Sequence, residues 1–204
     1  MDLIGPLPLT KAQNQYVLVI CDTATKFVIA EPIRRATSAN CIKILEKFLV
    51  LQFGPPKIVL TDNGTQLVSK AMKGFCAKYG ISLQTTPFYF PSANMTERYN
   101  RSIKTALAIW SQETHRNWDI YLPFVIFALR TAVNETTGFS PAFLVFGKEL
   151  TQPCSPDPIL LAGQKTPFNP DQYVIKLRSD LRTIYDIAQK TINEAKKKQA
   201  HCNV

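Results

Sequence analysis

An α/β sandwich is the fold class this sequence predicts, and three observations predict it. Two β-branched, aromatic stretches, "QYVLVICD" (15–22) and "KFVIAEPI" (26–33), flank a short polar connection and read as a hairpin. Downstream, strand and helix patterns alternate: "KIVLTD" (57–62), "QLVSKAMKGFCAKYG" (66–80) and "ISLQTTP" (81–87). Strands that return to one sheet through intervening helices build layered α/β folds. Finally, 46% of the 204 residues are hydrophobic and 19% charged, which suits a globular chain with a sizeable core.

Each remaining element has its own signal. "SANCIKILEKFLVLQF" (38–53) spaces its apolar residues as a helix does and stops at Gly54-Pro55-Pro56. A long helix is expected from Asn94 and another from Trp118 to Val133. In "SPAFLVFG" the apolar residues are expected to pack a core. Pro153, Pro156, Pro158, Pro167 and Pro170 mark a linker. Beyond it Val174, Leu177, Leu181, Ile184, Ala188, Thr191 and Ala195 form a heptad stripe, on a helix of ~8 turns. That stripe suits a coiled coil or a helix folded back on its own core. The expected organisation is a domain over 1–150, a linker over 151–170, and an amphipathic helix with a basic tail over 171–204.

Composition excludes several classes. Lys and Arg number 24 against 15 Asp and Glu, a formal charge of +9 that favours a polyanionic partner such as nucleic acid. Cys21, Cys41, Cys76, Cys154 and Cys202 are widely separated, with no C-x-x-C pair, which points to reduced thiols inside a cell. His115 and His201 are the only histidines, so a zinc module of paired Cys and His is excluded. The start, "MDLIGPLPLTK", is unlike a signal peptide, and the most apolar run, "YLPFVIFAL", is too short to span a bilayer.

The candidate chemistry lies in carboxylates. Asp62 stands where an apolar strand runs out into an Asp-Asn-Gly turn, and strand ends are where α/β sheets collect their chemistry. Glu97 opens a helix that continues into Arg98, Arg101 and Lys104. An acid there also suits the helix dipole, with Thr96 as the cap. Between Asp62 and Glu97 the chain makes one helix, one strand and a second helix start, a path that can bring the two together. Glu97, Arg101 and Lys104 share one helix face, which reads either as a solvated surface or as a carboxylate in line with phosphate-binding cations.

Four segments, in order, carry a resemblance: "DLIGPLP" (2–8), "TDNGTQ" (61–66), "TTPFYFPSANMTERYNRSIK" (85–104) and "TGFSPAFLVFG" (137–147). Through them the chain resembles the catalytic core of retroviral-type integrases, most like those of gypsy-type long-terminal-repeat retrotransposons. The resemblance implies a ribonuclease H-like three-layer fold with a five-stranded mixed sheet, followed by the linker and C-terminal helix. It implies Asp2, Asp62 and Glu97 as catalytic residues and as ligands of Mg²⁺, with Mn²⁺ as a substitute. It further implies DNA contacts from Asn63, Gly64, Thr65, Asn100, Arg101 and Lys104. The partners it implies are DNA (element ends and target) and a second copy of the chain, with no membrane, in an intracellular and nuclear setting. Asp22 ends "YVLVICD" and competes with Asp2 on spacing alone. The antiparallel hairpin carries Asp22 away from the end of Asp62's strand, and the resemblance selects Asp2.

The departures from the pattern set the rival expectations. The Asp62–Glu97 interval is one residue short, the glycine before the glutamate is missing, and Phe90 replaces a histidine. Beginning at Met1-Asp2, the chain is expected to be without the zinc-binding domain that integrases carry upstream and the DNA-binding domain they carry downstream. The chain then reads as an active DNA-joining enzyme, or as a truncated or host-captured relative that binds DNA or self-associates without catalysis. A plain ribonuclease H-like nuclease is a third reading, opposed by "TERYNR" and "SPAFLVFG".

Overall fold

The structure, a computed structural model, describes residues 1–85, 95–111, 116–151 and 170–202. Residues 152–169 of the expected linker therefore lie outside the described residues. Two compact units are present: Met1–Thr23 with Val28–Ala128, and Ala24–Phe27 with Leu129–Val204.

In the first unit β1 (Asp2–Ile4), β2 (Tyr16–Cys21) and β3 (Val28–Ile33) form an antiparallel sheet in that order. The expected hairpin forms with Tyr16 opposite Ile33 and Cys21 opposite Val28. Val17, Leu18 and Val19 of β2 have no exposed surface. A strand buried on successive residues is covered on both faces, because its side chains alternate between them. β4 (Ile58–Thr61) and β5 (Ser82–Thr85) form a separate parallel pair. The backbone nitrogen of Met1 donates to Leu60 O at 2.7 Å, joining the start of β1 to β4. The five expected strands thus hydrogen-bond as three and two. The three-residue β1 offers β4 only this one rung.

The helices follow the sequence with local differences. Thr37 Oγ1 accepts from Asn40 N and caps α1 (Ser38–Ile44). The predicted helix then widens into a π-helical stretch, Leu45–Val50, before closing as α2 (Leu51–Phe53) at Gly54, whose φ is 84°. Leu51 N–H reaches back to Glu46 O, the five-residue step of a π-turn. This step lets Val50 join Leu45 in the buried stripe. The next helix was expected from Gln66, but α3 (Lys70–Lys78) starts later, because Ser69 caps it by accepting from Met72 N. The skipped turn buries Leu67 completely.

Cys41 on α1 is fully buried, and desolvation pushes its thiol from 9.0 up to about 11. The neutral thiol is favoured in the fold, so this contribution to stability is present below pH 9 and is lost as pH rises towards 11. At pH 8 Cys41 is expected to resist iodoacetamide in the folded chain and to react after denaturation. Mass spectrometry of the alkylated chain checks this, and alkylation of Cys41 in the folded chain at the rate of the denatured one would contradict it.

α4 (Met95–Trp110) packs on β1 and β2 through a stripe of Thr96, Asn100, Ile103 and Leu107. Ile103 and Leu107 supply apolar burial of ~1.5–3 kcal/mol each, which anchors the helix across the sheet. Thr96 was expected as the cap, but α4 starts at Met95 and Thr96 is buried in its first turn. At the start of α5 (Trp118–Thr131), Asp119 accepts from Thr10 Oγ1 at 2.7 Å and Asn14 Nδ2 at 2.8 Å. Trp118 Nε1 donates to Pro8 O. These bonds tie the loop after β1 to the start of α5.

The second unit contains α6 (Pro141–Phe146), a helix not assigned from sequence. Ser140 caps it, Pro141 opens it and Gly147 closes it with φ 71°. Ala142 and Leu144 are buried, as core packing requires, whereas Phe146 is partly exposed and meets Phe27 edge-on. The C-terminal helix α7 (Pro170–Cys202) buries Ala188 and Ile192, and Tyr185 Oη donates to Leu144 O at 2.6 Å. On the described part of the heptad stripe, Leu181, Ile184 and Thr191 are half-buried. Ile192 rather than Thr191 completes the buried line, so this face packs at least partly on its own unit. Among the described residues no helix is long and apolar enough to cross a membrane.

Candidate active site

Asp2 opens β1 and Asp62 follows the last residue of β4, so the rung from Met1 to Leu60 brings the two carboxylates to neighbouring strands. Asp2 is half-buried. Its Oδ1 accepts from Leu3 N at 2.7 Å and its Oδ2 accepts from Asn100 Nδ2. Burial raises the Asp2 carboxyl above the usual carboxylate range, and the charge of Asp62 raises it further. The Leu3 N–H, the Asn100 amide and the Met1 ammonium act the other way.

The loop after β4 shapes the second carboxylate. Asp62 is exposed, and its Oδ1 accepts from Gly64 N at 3.0 Å, closing an Asx turn. A Cβ at position 64 would lie 3.0 Å from both Asp62 Oδ1 and Gln66 Nε2. Glycine is therefore what lets the loop pass so close to the acid. Asn63 and Thr65 are exposed on either side of it.

α4 supplies the remaining expected residues. Position 97 lies in its first turn, and the Glu97 side chain falls outside the described residues. Arg101 and Lys104 are exposed on the same helix, whereas Asn100 is buried against Asp2. Asn100 was expected only at DNA. An amide three residues after the acid on a helix crossing β1 was the available signal for its link to Asp2, and it was missed. Asp22 lies three residues beyond Val19, the partner of Asp2 in the antiparallel register. At 3.2–3.4 Å per residue this is about 10 Å along the strand, on the far side of Met1 from Leu3.

Among the described residues no group of three His, Cys, Asp or Glu is gathered for a metal. Asp2 and Asp62 are two of the three expected ligands, and the third, Glu97, falls outside that description. The described pair offers only oxygen donors. Two carboxylates on neighbouring strands, one half-buried and one exposed, offer the oxygen ligands that a hard divalent cation prefers.

The fold defines the class: this is an integrase-core fold of the retroviral type. Residues 1–91 match the integrase core domain family. The chain is 26% identical over 97% of its length to a Drosophila melanogaster Retrovirus-related Pol polyprotein from transposon 412, of which it covers 16%. It is 32% identical over 79% of its length to the Gag-Pol polyprotein of Koala retrovirus, of which it covers 9%. It thus spans a small part of the relatives it matches. A chain of the simian T-cell lymphotropic virus intasome, solved with PP2A regulatory subunit B56 gamma, shares the fold at a TM-score of 0.61 and 21% identity. That match covers 82% of this chain and 58% of the other.

Proposed function

We propose that this chain is the catalytic core of an integrase, a Mg²⁺-dependent polynucleotidyl transferase that trims the 3′ ends of an element and joins them to target DNA. The single observation that carries this reading is the hydrogen bond from Met1 N to Leu60 O, which brings Asp2 and Asp62, acids far apart in sequence, to adjoining strands. The match to the integrase core domain and the likeness to retroviral and transposon polyproteins support it. A gypsy-type retrotransposon origin fits the four sequence segments.

Asp62 would be the shared ligand, with Asp2 and Glu97 each holding one cation. Mg²⁺, or Mn²⁺ in its place, would supply an activated nucleophile and a stabilised leaving oxygen there. The chain's own groups then do the orienting. The Gly64 N–H steadies Asp62, and Leu3 N–H and Asn100 hold Asp2. Arg101 and Lys104 grip the phosphodiester backbone, and the Asn63–Thr65 loop approaches the DNA beside Asp62. Self-association and action in the nucleus belong to the same proposal.

The test is a strand-transfer or disintegration assay on labelled duplex DNA. Covalently joined product should form with Mg²⁺ and not with EDTA. Product formed equally in EDTA would remove the cation from the mechanism.

Arg101→Ala and Lys104→Ala are each expected to weaken duplex binding. Each lost phosphate contact should lower the log–log salt slope by about one unit. Fluorescence anisotropy across a salt series measures this, and an unchanged slope would make the two residues ordinary surface cations.

A further inference from the structure

Between Ser38 and Lys78 the chain carries six lysines and only two acids, Glu46 and Asp62. Asp62 belongs to the site already described. Four of the lysines lie on two helical segments: Lys43 and Lys47 on α1 and its π-helical continuation, Lys70 and Lys73 on α3. All four are exposed, and none forms an ion pair among the described residues. α1 packs on α3, and Glu46 Oε1 accepts from Lys78 Nζ at 3.2 Å and from Tyr79 Oη. This surface bridge occupies the second acid and joins the outward sides of the two segments. On α3 the buried residues Met72, Phe75 and Cys76 share one side. At 3.6 residues per turn, Lys70, Lys73, Gly74 and Ala77 fall on the other. A Cβ added at Gly74 would meet no heavy atom within 4 Å, so the ground beside the lysines is open.

The composition of this face selects among polyanions. Lysine is a point charge that holds phosphate and reads no base edge by itself. Proteins that hold single strands offer aromatic rings on which bases stack. Here the nearest rings are covered, with Lys47 Nζ 4.9 Å from the centroid of Phe48 and Lys78 Nζ 4.7 Å from that of Tyr79. Gly74 and Ala77 offer none of the large anchors on which protein partners depend. Lys70 and Lys73 are ~4.5 Å apart along the helix axis, near the ~3.4 Å of duplex length per phosphate on one strand.

We infer that the lysine face of α1 and α3 is a docking surface for double-stranded DNA, which it holds by the phosphates without regard to sequence. It is built on helices other than α4, which carries Arg101 and Lys104, and it uses neither the carboxylates nor a cation. The inference rests on the proposed function only in taking DNA as the polyanion.

The experiment reads lysine acetylation by mass spectrometry, and anisotropy across a salt series, on the whole chain in EDTA with duplexes of unrelated sequence. Each duplex should protect Lys43, Lys47, Lys70 and Lys73 from acetylation to the same extent. Changing all four to glutamine should lower the log–log salt slope by about three to four units, at ~0.9 for each phosphate contact. In a background of Arg101→Ala and Lys104→Ala the drop should be as large, since separate sites add. Changing the four to arginine keeps the charge and should keep the slope, which separates lost phosphate contacts from lost folding. Four lysines that stay reactive under saturating duplex, or a slope that the glutamines leave unchanged, would overturn the inference. Stronger protection by a single strand, or by one duplex sequence alone, would overturn it too. If Lys104 is protected and these four are not, this inference alone fails. If no lysine is protected and neither set of changes moves the slope, DNA is lost as the partner in the proposed function as well.

Discussion

Asp62→Asn is expected to abolish Mg²⁺-dependent DNA joining while leaving the melting temperature nearly unchanged. Asparagine keeps the volume of the side chain and an Oδ1 that can still accept from Gly64 N, so the turn after β4 survives. What disappears is the charge. Asp62 is exposed and shared in the proposed site, so its loss should remove both the attraction for the cations and the bridge between them. Losing a group that stabilises charge in the transition state costs on the order of 10²–10³ in rate, and a shared ligand should cost at least that. The same substitution removes one of the causes that raise Asp2, so the Asp2 carboxyl should titrate at lower pH. Strand-transfer rates and a carboxylate titration followed by nuclear magnetic resonance check the two halves. Wild-type joining by Asp62→Asn would end the two-cation reading.

Asp2→Asn is expected to have the second-largest effect, and its contrast with Asp22→Asn carries the information. Asp2 accepts from Leu3 N and Asn100 Nδ2 and is acted on by the charge of Asp62. Asp22 lies past the end of β2, away from that pair. Replacing Asp2 should raise the Mg²⁺ concentration needed for joining or remove activity, with a loss on the order of 10² or more. Asp22→Asn should join DNA at the wild-type rate. A Mg²⁺ titration of joining by the two variants decides the matter. The reverse ranking would move the first carboxylate of the site to Asp22.

Much of this was legible in the sequence because the strands carry strong local signals. The Tyr16–Cys21 and Val28–Ile33 hairpin is rich in β-branched residues, and Ile58–Thr61 ends on a polar turn. The aspartate at that turn was readable for the same reason, since Asp-Asn-Gly fixes both a loop and an exposed acid. Other features depend on tertiary contact and left weaker traces. The π-helical stretch Leu45–Val50 follows from which residues must be buried, not from their propensity. The delayed start of α3 reflects a choice between Gln66 and Ser69 that the Ser69 cap settles. α6 was legible in principle from Ser140, Pro141 and Gly147, but six residues are too few for periodicity to show. The bond from Asn100 to Asp2 joins residues 98 positions apart, and its one trace in the sequence is the amide three residues after Glu97.

Iron-directed cleavage tests most directly whether Asp2, Asp62 and Glu97 surround one cation site. Fe²⁺ takes the place of Mg²⁺, and ascorbate with peroxide then cuts the polypeptide near the bound ion. The account predicts cuts beside Asp62 and beside Glu97, both suppressed by excess Mg²⁺ and both lost in Asp62→Asn. Cuts elsewhere in the chain, or cuts at these positions that Mg²⁺ and Asp62→Asn leave untouched, would contradict it.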